Sequence, residues 1–257
     1  MSNGLLTYEH PLNERVRAFL RLEHLFEQIN HYIDSQSHWD SRIALESIIE
    51  ISNILERTDL RNETIKELER HVATLTKLSS KPSVNQPTLK NILDDLEHSF
   101  EMMHSSPGKA SSSLREHEFL NGIRQRLTIP GGTCCFDIPA YHYWLNLTYH
   151  QRQEDMRLWV KTFNPIQHAV SLILHLIRNS TVPIQEIAPF GLYQKSLQPQ
   201  TPCQLVSITL PASLGLYPEV SGSKHRITVR FLTARFDGSR GAQTSEDVPF
   251  EITRCTI

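Results

Sequence analysis

The spacing of apolar residues changes once along this chain, near residue 180. Before that point apolar side chains recur at steps of three and four residues, as at Val16, Phe19 and Phe26. Such steps place side chains on one face of a helix, so this part of the chain predicts amphipathic helices. After Ser180 apolar and polar residues alternate, which predicts antiparallel strands with one buried face. The fold class expected from the two patterns is α+β.

The two patterns predict a mainly helical N-terminal domain and a smaller antiparallel β domain at the C-terminal side. We expect residues 1–128 to form the helical domain, completed by helices within 139–180. The β domain takes residues 129–138 and 181–257. The helical stripes cover 16–33, 43–55, 65–78, 89–103, 119–127, 151–162 and 165–178, and the clearest strands cover 206–210, 227–231 and 248–252.

Local signals predict where several elements begin and end. Pro11 is a natural first residue for a helix, because its missing N–H would have no partner there. Thr58 or Asp59 is expected to cap the third helix. The run Pro130-Gly131-Gly132 predicts a tight turn, and residues 133–138 after it predict a short strand.

The composition is typical of a globular protein with a core. Apolar residues make up 39% of the chain and charged residues 21%. No run of apolar residues is as long as a membrane span, which needs about 18. The N-terminus has no signal-peptide pattern. We therefore expect a cytoplasmic protein that does not bind a membrane. Under cytosolic redox conditions its four cysteines are expected to be reduced and mostly buried.

The chain contains none of the common catalytic motifs. The G-x-S-x-G, Walker A, G-x-G-x-x-G and H-E-x-x-H patterns are all absent. His168 and His175 lie seven residues apart on an apolar stretch, a position more typical of core histidines than of metal ligands. The sequence therefore predicts neither an enzyme nor a cofactor or metal site. An enzyme with an unfamiliar pocket remains one alternative interpretation, to be set beside those given below for the arginines.

The placement of arginines is the most informative feature of the helical part. Arg17 and Arg21 are four residues apart, so both project from one helical face. Arg57 and Arg61 flank the start of the third helix, and Arg124 lies near the end of the fifth.

Cations also line one face of a predicted strand. Lys224, Arg226 and Arg230 alternate with Ile227 and Val229, so they share the face opposite the apolar one. The two arginines are about 13 Å apart at roughly 3.3 Å per residue. A face with three cations and no interleaved carboxylate favours a negative partner. If arginines of both domains meet in one cleft, a peptide with carboxylates is the expected ligand, because the guanidinium fork matches a carboxylate.

Two other interpretations use the same cations. The helical arginines can pair with local carboxylates, for which Glu14 and Glu23 are available. A nucleic-acid-binding adaptor would direct the cations at phosphates. The formal net charge of −2 and the lack of a basic–aromatic run favour a protein partner over nucleic acid.

Four segments resemble the Z-ring-associated protein D (ZapD) family, in order along almost the whole chain. They are EHPLNERVRAFLRLEHLF, LERTDLRNETIKELER, IRQRLTIPGGTCCFD with the following HYWL, and SGSKHRITVRF. The resemblance implies a helical domain plus a β domain, and a symmetric homodimer. It also implies a division protein at mid-cell that binds the C-terminal tail of the tubulin-like protein FtsZ and bundles its filaments.

The resemblance further implies a basic pocket for the FtsZ tail. By position, its residues would be Arg17, Arg21, Arg57, Arg61, Arg124, His142, Arg226 and Arg230. Some relatives have an arginine where this chain has Glu118, which weakens the basic patch there unless Arg115 or Lys109 substitutes. An apolar residue in the groove should add anchoring energy, and Leu22 and Trp144 are the candidates.

Overall fold

The computed structural model describes residues 4–57, 59–81, 84–105, 114–197, 203–223 and 226–256, with only the backbone of Arg57. The chain forms two compact units. The helical unit comprises Ala18–Ile173, and the β unit comprises Met1–Arg17 and Leu174–Ile257. Helices dominate the N-terminal part and the antiparallel strands lie mainly in the C-terminal part, which confirms the predicted α+β class.

The helices follow the predicted apolar stripes to within a few residues. They are α1 (Glu14–Tyr32), α2 (His38–Arg57), α3 (Leu60–Thr76), α4 (Gln86–Ser105), α5 (Glu118–Leu127), α6 (Pro139–Leu145), α7 (Tyr149–Lys161) and α8 (Asn164–Arg178). The stripe of α1 is buried as expected, with Phe19, Leu22 and Ile29 fully enclosed. The short helix α6 was not predicted individually.

The predicted helix start at Pro11 is wrong, and the predicted start at Asp59 is correct but lacks the expected side-chain cap. Pro11 is the last residue of a strand, and α1 begins after Asn13, whose side-chain oxygen accepts a hydrogen bond from the Val16 N–H at 2.8 Å. Asp59 precedes α3 but its carboxylate accepts no backbone hydrogen bond from the helix. It binds the Asn62 side-chain amide at 2.8 Å instead. Thr58 lies outside the described residues.

The β unit contains two antiparallel sheets. The strands are β1 (Leu5–Pro11), β2 (Ile184–Ala188), β3 (Leu192–Ser196), β4 (Leu205–Pro211), β5 (Leu216–Gly222), β6 (Arg226–Thr233) and β7 (Val248–Cys255). One sheet has the order β1-β4-β7-β2 and the other β3-β6-β5. Side chains from both sheets, among them Tyr193, Ile208, Phe231 and Phe250, share one apolar core. The three clearest predicted strands are confirmed as β4, β6 and β7.

The segment 133–138 is not a strand. The Cys134 carbonyl accepts hydrogen bonds from the N–H groups of Asp137 and Ile138, at 3.0 and 3.1 Å, so the backbone pairs within its own turn. The preceding Pro-Gly-Gly turn is confirmed, and Gly131 has the positive φ of 70° that favours glycine. These turns lie within the helical unit and lead into α6.

The cysteines differ in their exposure, which corrects the expectation that most are buried. Cys134 and Cys135 are exposed in the turn before α6, Cys203 is half-buried, and Cys255 is buried. Burial raises the pKa of the Cys203 thiol to about 11. Burial also raises the pKa of the Cys255 thiol to about 12. All four thiols are free.

Candidate functional site

Arg17 and Arg21 lie one turn apart on α1, but they differ in their contacts. Arg21 is exposed and has no hydrogen-bond or ion-pair partner among the described residues. Arg17 forms an exposed ion pair with Glu14, with 2.5 Å between Nη1 and Oε1. The local pairing considered as an alternative therefore occurs at Arg17. An exposed pair of this kind stabilises a protein by only about 0–1 kcal/mol, so another carboxylate can replace Glu14 at little cost.

Arg61 and Arg124 connect helices of the helical unit. Arg124 donates to Glu56 Oε1 and to Ser52 Oγ, both at 3.0 Å, and so links α5 to α2. Arg61 donates to the backbone carbonyl of Met103 and links α3 to α4. Both guanidinium groups are engaged by this chain's own acceptors, which gives each a structural role.

The other candidate residues of the helical part are exposed or lie partly or wholly outside the described residues. His142 on α6 is exposed, and its ring forms no hydrogen bond, ion pair or ring–ring contact with a described residue. Glu118 is the first residue of α5, where its exposed carboxylate lies at the positive end of the helix. Arg115 is also exposed. The side chain of Arg57 and all of Lys109 lie outside the described residues.

Neither of the two apolar anchor candidates is at the surface. Leu22 has 0% exposure and belongs to the buried stripe of α1. Trp144 is buried, and its indole N–H donates to Asp155 Oδ2 at 2.9 Å. Both side chains pack inside the helical unit, so in this structure they cannot serve as a surface anchor.

Strand β6 has the two faces predicted from its sequence. Ile227, Val229 and Phe231 are buried in the core, whereas Arg226 and Arg230 are exposed on the opposite face. The Arg226 guanidinium has no hydrogen-bond or ion-pair partner in the described part of the chain.

The expectation of a sheet face without a carboxylate is wrong. Glu219 of β5 is the register partner of Arg230, and their side chains form an ion pair. The sequence did not predict β5, because LYPEVSG contains proline and glycine, which are poor strand residues. Glu219 therefore could not be placed beside Arg230 in advance. Lys224 lies outside the described residues.

The prediction that His168 and His175 are core histidines is wrong. His168 and His175 are both exposed on α8. No group of three or more His, Cys, Asp or Glu side chains within the described residues is arranged to hold a metal ion. Within the same ranges, no helix has both the length and the apolar character needed to cross a membrane.

One titratable group close to these arginines has a shifted pKa. His10 lies on β1 and is partly buried. Burial, and secondarily the positive charge of Arg17, lower the pKa of its imidazole below the ordinary value of 6.5. His10 is therefore a reporter of the charge on Arg17 within the β unit.

Comparison with known proteins identifies the family. Residues 20–230 match the ZapD family model, described as a cell division protein. The cell division protein ZapD of Methylococcus capsulatus is 39% identical over 252 residues, which cover 98% of each chain. That of Coxiella burnetii is 36% identical over 253 residues, again 98% of each chain. That of an Azoarcus species is 34% identical over 98% of this chain and 100% of its own. The chain therefore belongs to the ZapD family of cell division proteins.

Proposed function

We propose that this protein binds the C-terminal tail of FtsZ and cross-links FtsZ filaments, which promotes Z-ring assembly at mid-cell. The observation that carries the proposal is the exposure of the Arg21 and Arg226 side chains. Each is exposed, and neither has an internal partner among the described residues. A guanidinium without a partner presents a planar fork that matches a carboxylate in two hydrogen bonds.

Arg17 and Arg230 extend the binding residues. Each forms an ion pair with a glutamate, Glu14 or Glu219, at the protein surface. Because such pairs contribute only about 0–1 kcal/mol, a carboxylate of the tail can take the place of the glutamate. These four arginines and the exposed His142 form the proposed contact set.

Arg61 and Arg124 take a supporting part in this proposal. Their guanidinium groups hold α3 to α4 and α5 to α2 through Met103, Glu56 and Ser52. Loss of either side chain should affect the packing of these helices before it affects a bound tail.

Cross-linking requires at least two tail sites in one particle. A two-fold homodimer supplies two identical sites from one sequence. Each site can be weak, because a filament presents many tails and the second contact is then effectively intramolecular. We therefore propose that the dimer is the active form.

Alanine variants of Arg21 and Arg226, which have no partner among the described residues, test the proposal. We expect Arg21→Ala and Arg226→Ala each to weaken binding of a labelled FtsZ tail peptide roughly tenfold, the value for one charge-assisted hydrogen bond. Bundling in a co-sedimentation assay with FtsZ filaments should fall in parallel. Arg157→Ala and Arg240→Ala are matched controls, since both remove exposed arginines outside the set. If the four variants bind the peptide equally well, the proposal is wrong.

The double variant Arg21→Ala/Arg226→Ala tests whether arginines of both units bind one tail, which stays a prediction. If one peptide contacts both, the two losses in binding free energy should add. If only one arginine contacts the peptide, the second substitution should have no further effect.

Salt and duplex DNA distinguish the other interpretations. Raising the salt concentration from about 50 to about 300 mM should weaken tail binding steeply, because exposed charges are screened. A gel shift with duplex DNA should show no complex under conditions where the tail peptide binds. Tight DNA binding that is lost in Arg21→Ala and Arg226→Ala would support the nucleic-acid adaptor instead.

A further inference from the structure

The exposed face of the three-stranded sheet carries an apolar residue beside its arginines. We call this surface the outer sheet face and define it by Leu192, Gln194, Ser196, Glu219, Ser221, Arg226, Thr228 and Arg230. Leu192 on β3 is the register partner of Arg230 on β6. It is 37% exposed, whereas its neighbour Tyr193 is buried in the core. Because side chains alternate along a strand, Leu192 lies on the same face as Arg230.

The strand register arranges this face in rows. Leu192, Arg230 and Glu219 form one row across the sheet, and Gln194, Thr228 and Ser221 form the next. Arg226 lies beyond them, opposite Ser196. The face therefore has one apolar residue, Leu192, on the edge strand β3, and two cations along β6.

The segment before Leu192 exposes a second apolar side chain. Phe190 is 68% exposed and has a φ of 51°, which is uncommon for a bulky residue. Two side chains hold this conformation: Asp247 Oδ1 accepts the Phe190 N–H at 3.0 Å, and the Gln243 amide donates to its carbonyl at 2.9 Å. A strained residue that is held in place at a surface is typical of binding sites.

We propose that the outer sheet face binds an extended acidic segment of the FtsZ tail and that Leu192 is its apolar anchor. Residues paired across strands have Cβ atoms about 4.5–5.5 Å apart, so an apolar side chain packed on Leu192 lies beside a carboxylate bound to Arg230. Arg226 and Arg230 are about 13 Å apart, the span of four residues in an extended peptide. The inference rests on the proposed function and assigns to Leu192 the anchoring role expected of Leu22 or Trp144.

The partner chemistry follows from this arrangement. The ligand segment must carry carboxylates for the two cations and at least one apolar side chain next to a carboxylate. A uniformly charged polyanion matches the arginines but leaves Leu192 in water. The anchor therefore selects a mixed acidic and apolar peptide over a polyanion.

Leu192→Ser tests the anchor. We expect the variant to bind the FtsZ tail peptide roughly fivefold more weakly, from the apolar area left in water. The dependence of affinity on salt should stay as in the unsubstituted protein, because no charge changes. Leu214→Ser is the matched control: Leu214 is 41% exposed, belongs to the same unit and lies outside the outer sheet face. Equal binding by both serine variants would overturn the inference.

Two further measurements keep the test decisive. Leu192→Met should bind the peptide with an affinity within about twofold of that of the unsubstituted protein, because it preserves apolar volume. If Leu192→Ser does not fold, Leu192→Gln should show the same loss of affinity. The second measurement replaces the apolar residues of the peptide by serine, one at a time. At least one replacement should weaken binding to the unsubstituted protein but have no effect on binding to Leu192→Ser. If no replacement couples to Leu192, the residue is not the anchor.

The arginine variants separate the failure of this inference from the failure of the proposed function. If Arg226→Ala and Arg230→Ala leave peptide binding unchanged, the tail does not bind the outer sheet face. If both weaken binding while Leu192→Ser does not, the tail binds the arginines without the anchor.

Discussion

Arg230 and Glu219 face each other directly across β6 and β5 and form an ion pair at the surface of the sheet. In the proposed function, the Glu219 carboxylate competes with an acidic tail for Arg230 and also repels it. We expect Glu219→Gln to bind the FtsZ tail peptide about three- to tenfold more tightly, because removal of one exposed pair costs the fold little. Fluorescence anisotropy of the labelled peptide measures the change.

The control for this prediction is Glu246→Gln, which removes an exposed carboxylate elsewhere in the β unit. It has the same effect on net charge but leaves Arg230 paired. If both glutamine variants tighten binding equally, the gain comes from overall charge and not from release of Arg230.

Arg152 on α7 is the buried centre of a hydrogen-bond network in the helical unit, with only 5% exposure. Its guanidinium donates to the carbonyls of Gln36, Leu145 and Leu147 and to Ser41 Oγ, at 2.6–3.2 Å. Arg152→Met should leave these acceptors unpaired and lower the free energy of unfolding by about 2–4 kcal/mol. Urea unfolding followed by circular dichroism measures the loss.

Arg157→Met provides the comparison on the same helix. Arg157 is exposed and pairs with Asp34 at 2.8 Å across a solvated surface. Its substitution should change the free energy of unfolding by less than about 1 kcal/mol. Similar losses in both variants would contradict the structural role given to Arg152.

The lowered pKa of His10 predicts a pH dependence of stability. Above its ordinary value of 6.5, the imidazole is neutral in the folded and in the unfolded chain. As the pH falls below 6.5, the unfolded chain binds the proton first, so stability decreases until the pH passes the lower pKa of the folded protein. Between about pH 7 and about pH 5, His10→Gln should therefore lose less stability than the unsubstituted protein.

Urea unfolding at the two pH values compares the proteins, and identical pH dependence would show that His10 is not responsible. Arg17→Ala offers an independent check by NMR titration. Removing the positive charge should raise the pKa of His10, although burial should keep it below 6.5.

The exposure of the cysteines predicts the order in which they react. Thiolates react with iodoacetamide, and at about pH 8 the raised pKa values keep Cys203 and Cys255 almost entirely protonated. The exposed Cys134 and Cys135 should be alkylated first in the native protein, and the other two only after unfolding in urea. Peptide mapping by mass spectrometry follows each site. Equal rates at all four sites in the native protein would contradict this order.

Local patterns predicted the helices and the central strands well. The stripe of α1 and the alternation of Ile227, Val229 and Phe231 each depend on which residues of one element face the core, and a helix or strand repeats that choice along its own sequence. The same stripe already placed Leu22 among buried residues, so its burial follows from the period of the helix. Its predicted role as a surface anchor conflicted with that pattern.

The strands without strong patterns could not be predicted in the same way. β1 forms because its residues pair with β4, as Leu5 does with Pro211. Nothing within LLTYEHP specifies that partner. The same holds for β5, where Glu219 meets Arg230 only through the register of two strands.

The sequence by itself determined the fold class, the positions of most helices and the arginines that line α1 and β6. Only the tertiary structure decided which of the candidate arginines are available to a partner. Arg124 is engaged by Glu56 and Arg230 by Glu219, whereas Arg21 and Arg226 have no partner among the described residues. The physical reason is that the period of an element sets the direction of a side chain, whereas its electrostatic partners come from other elements that the fold brings alongside.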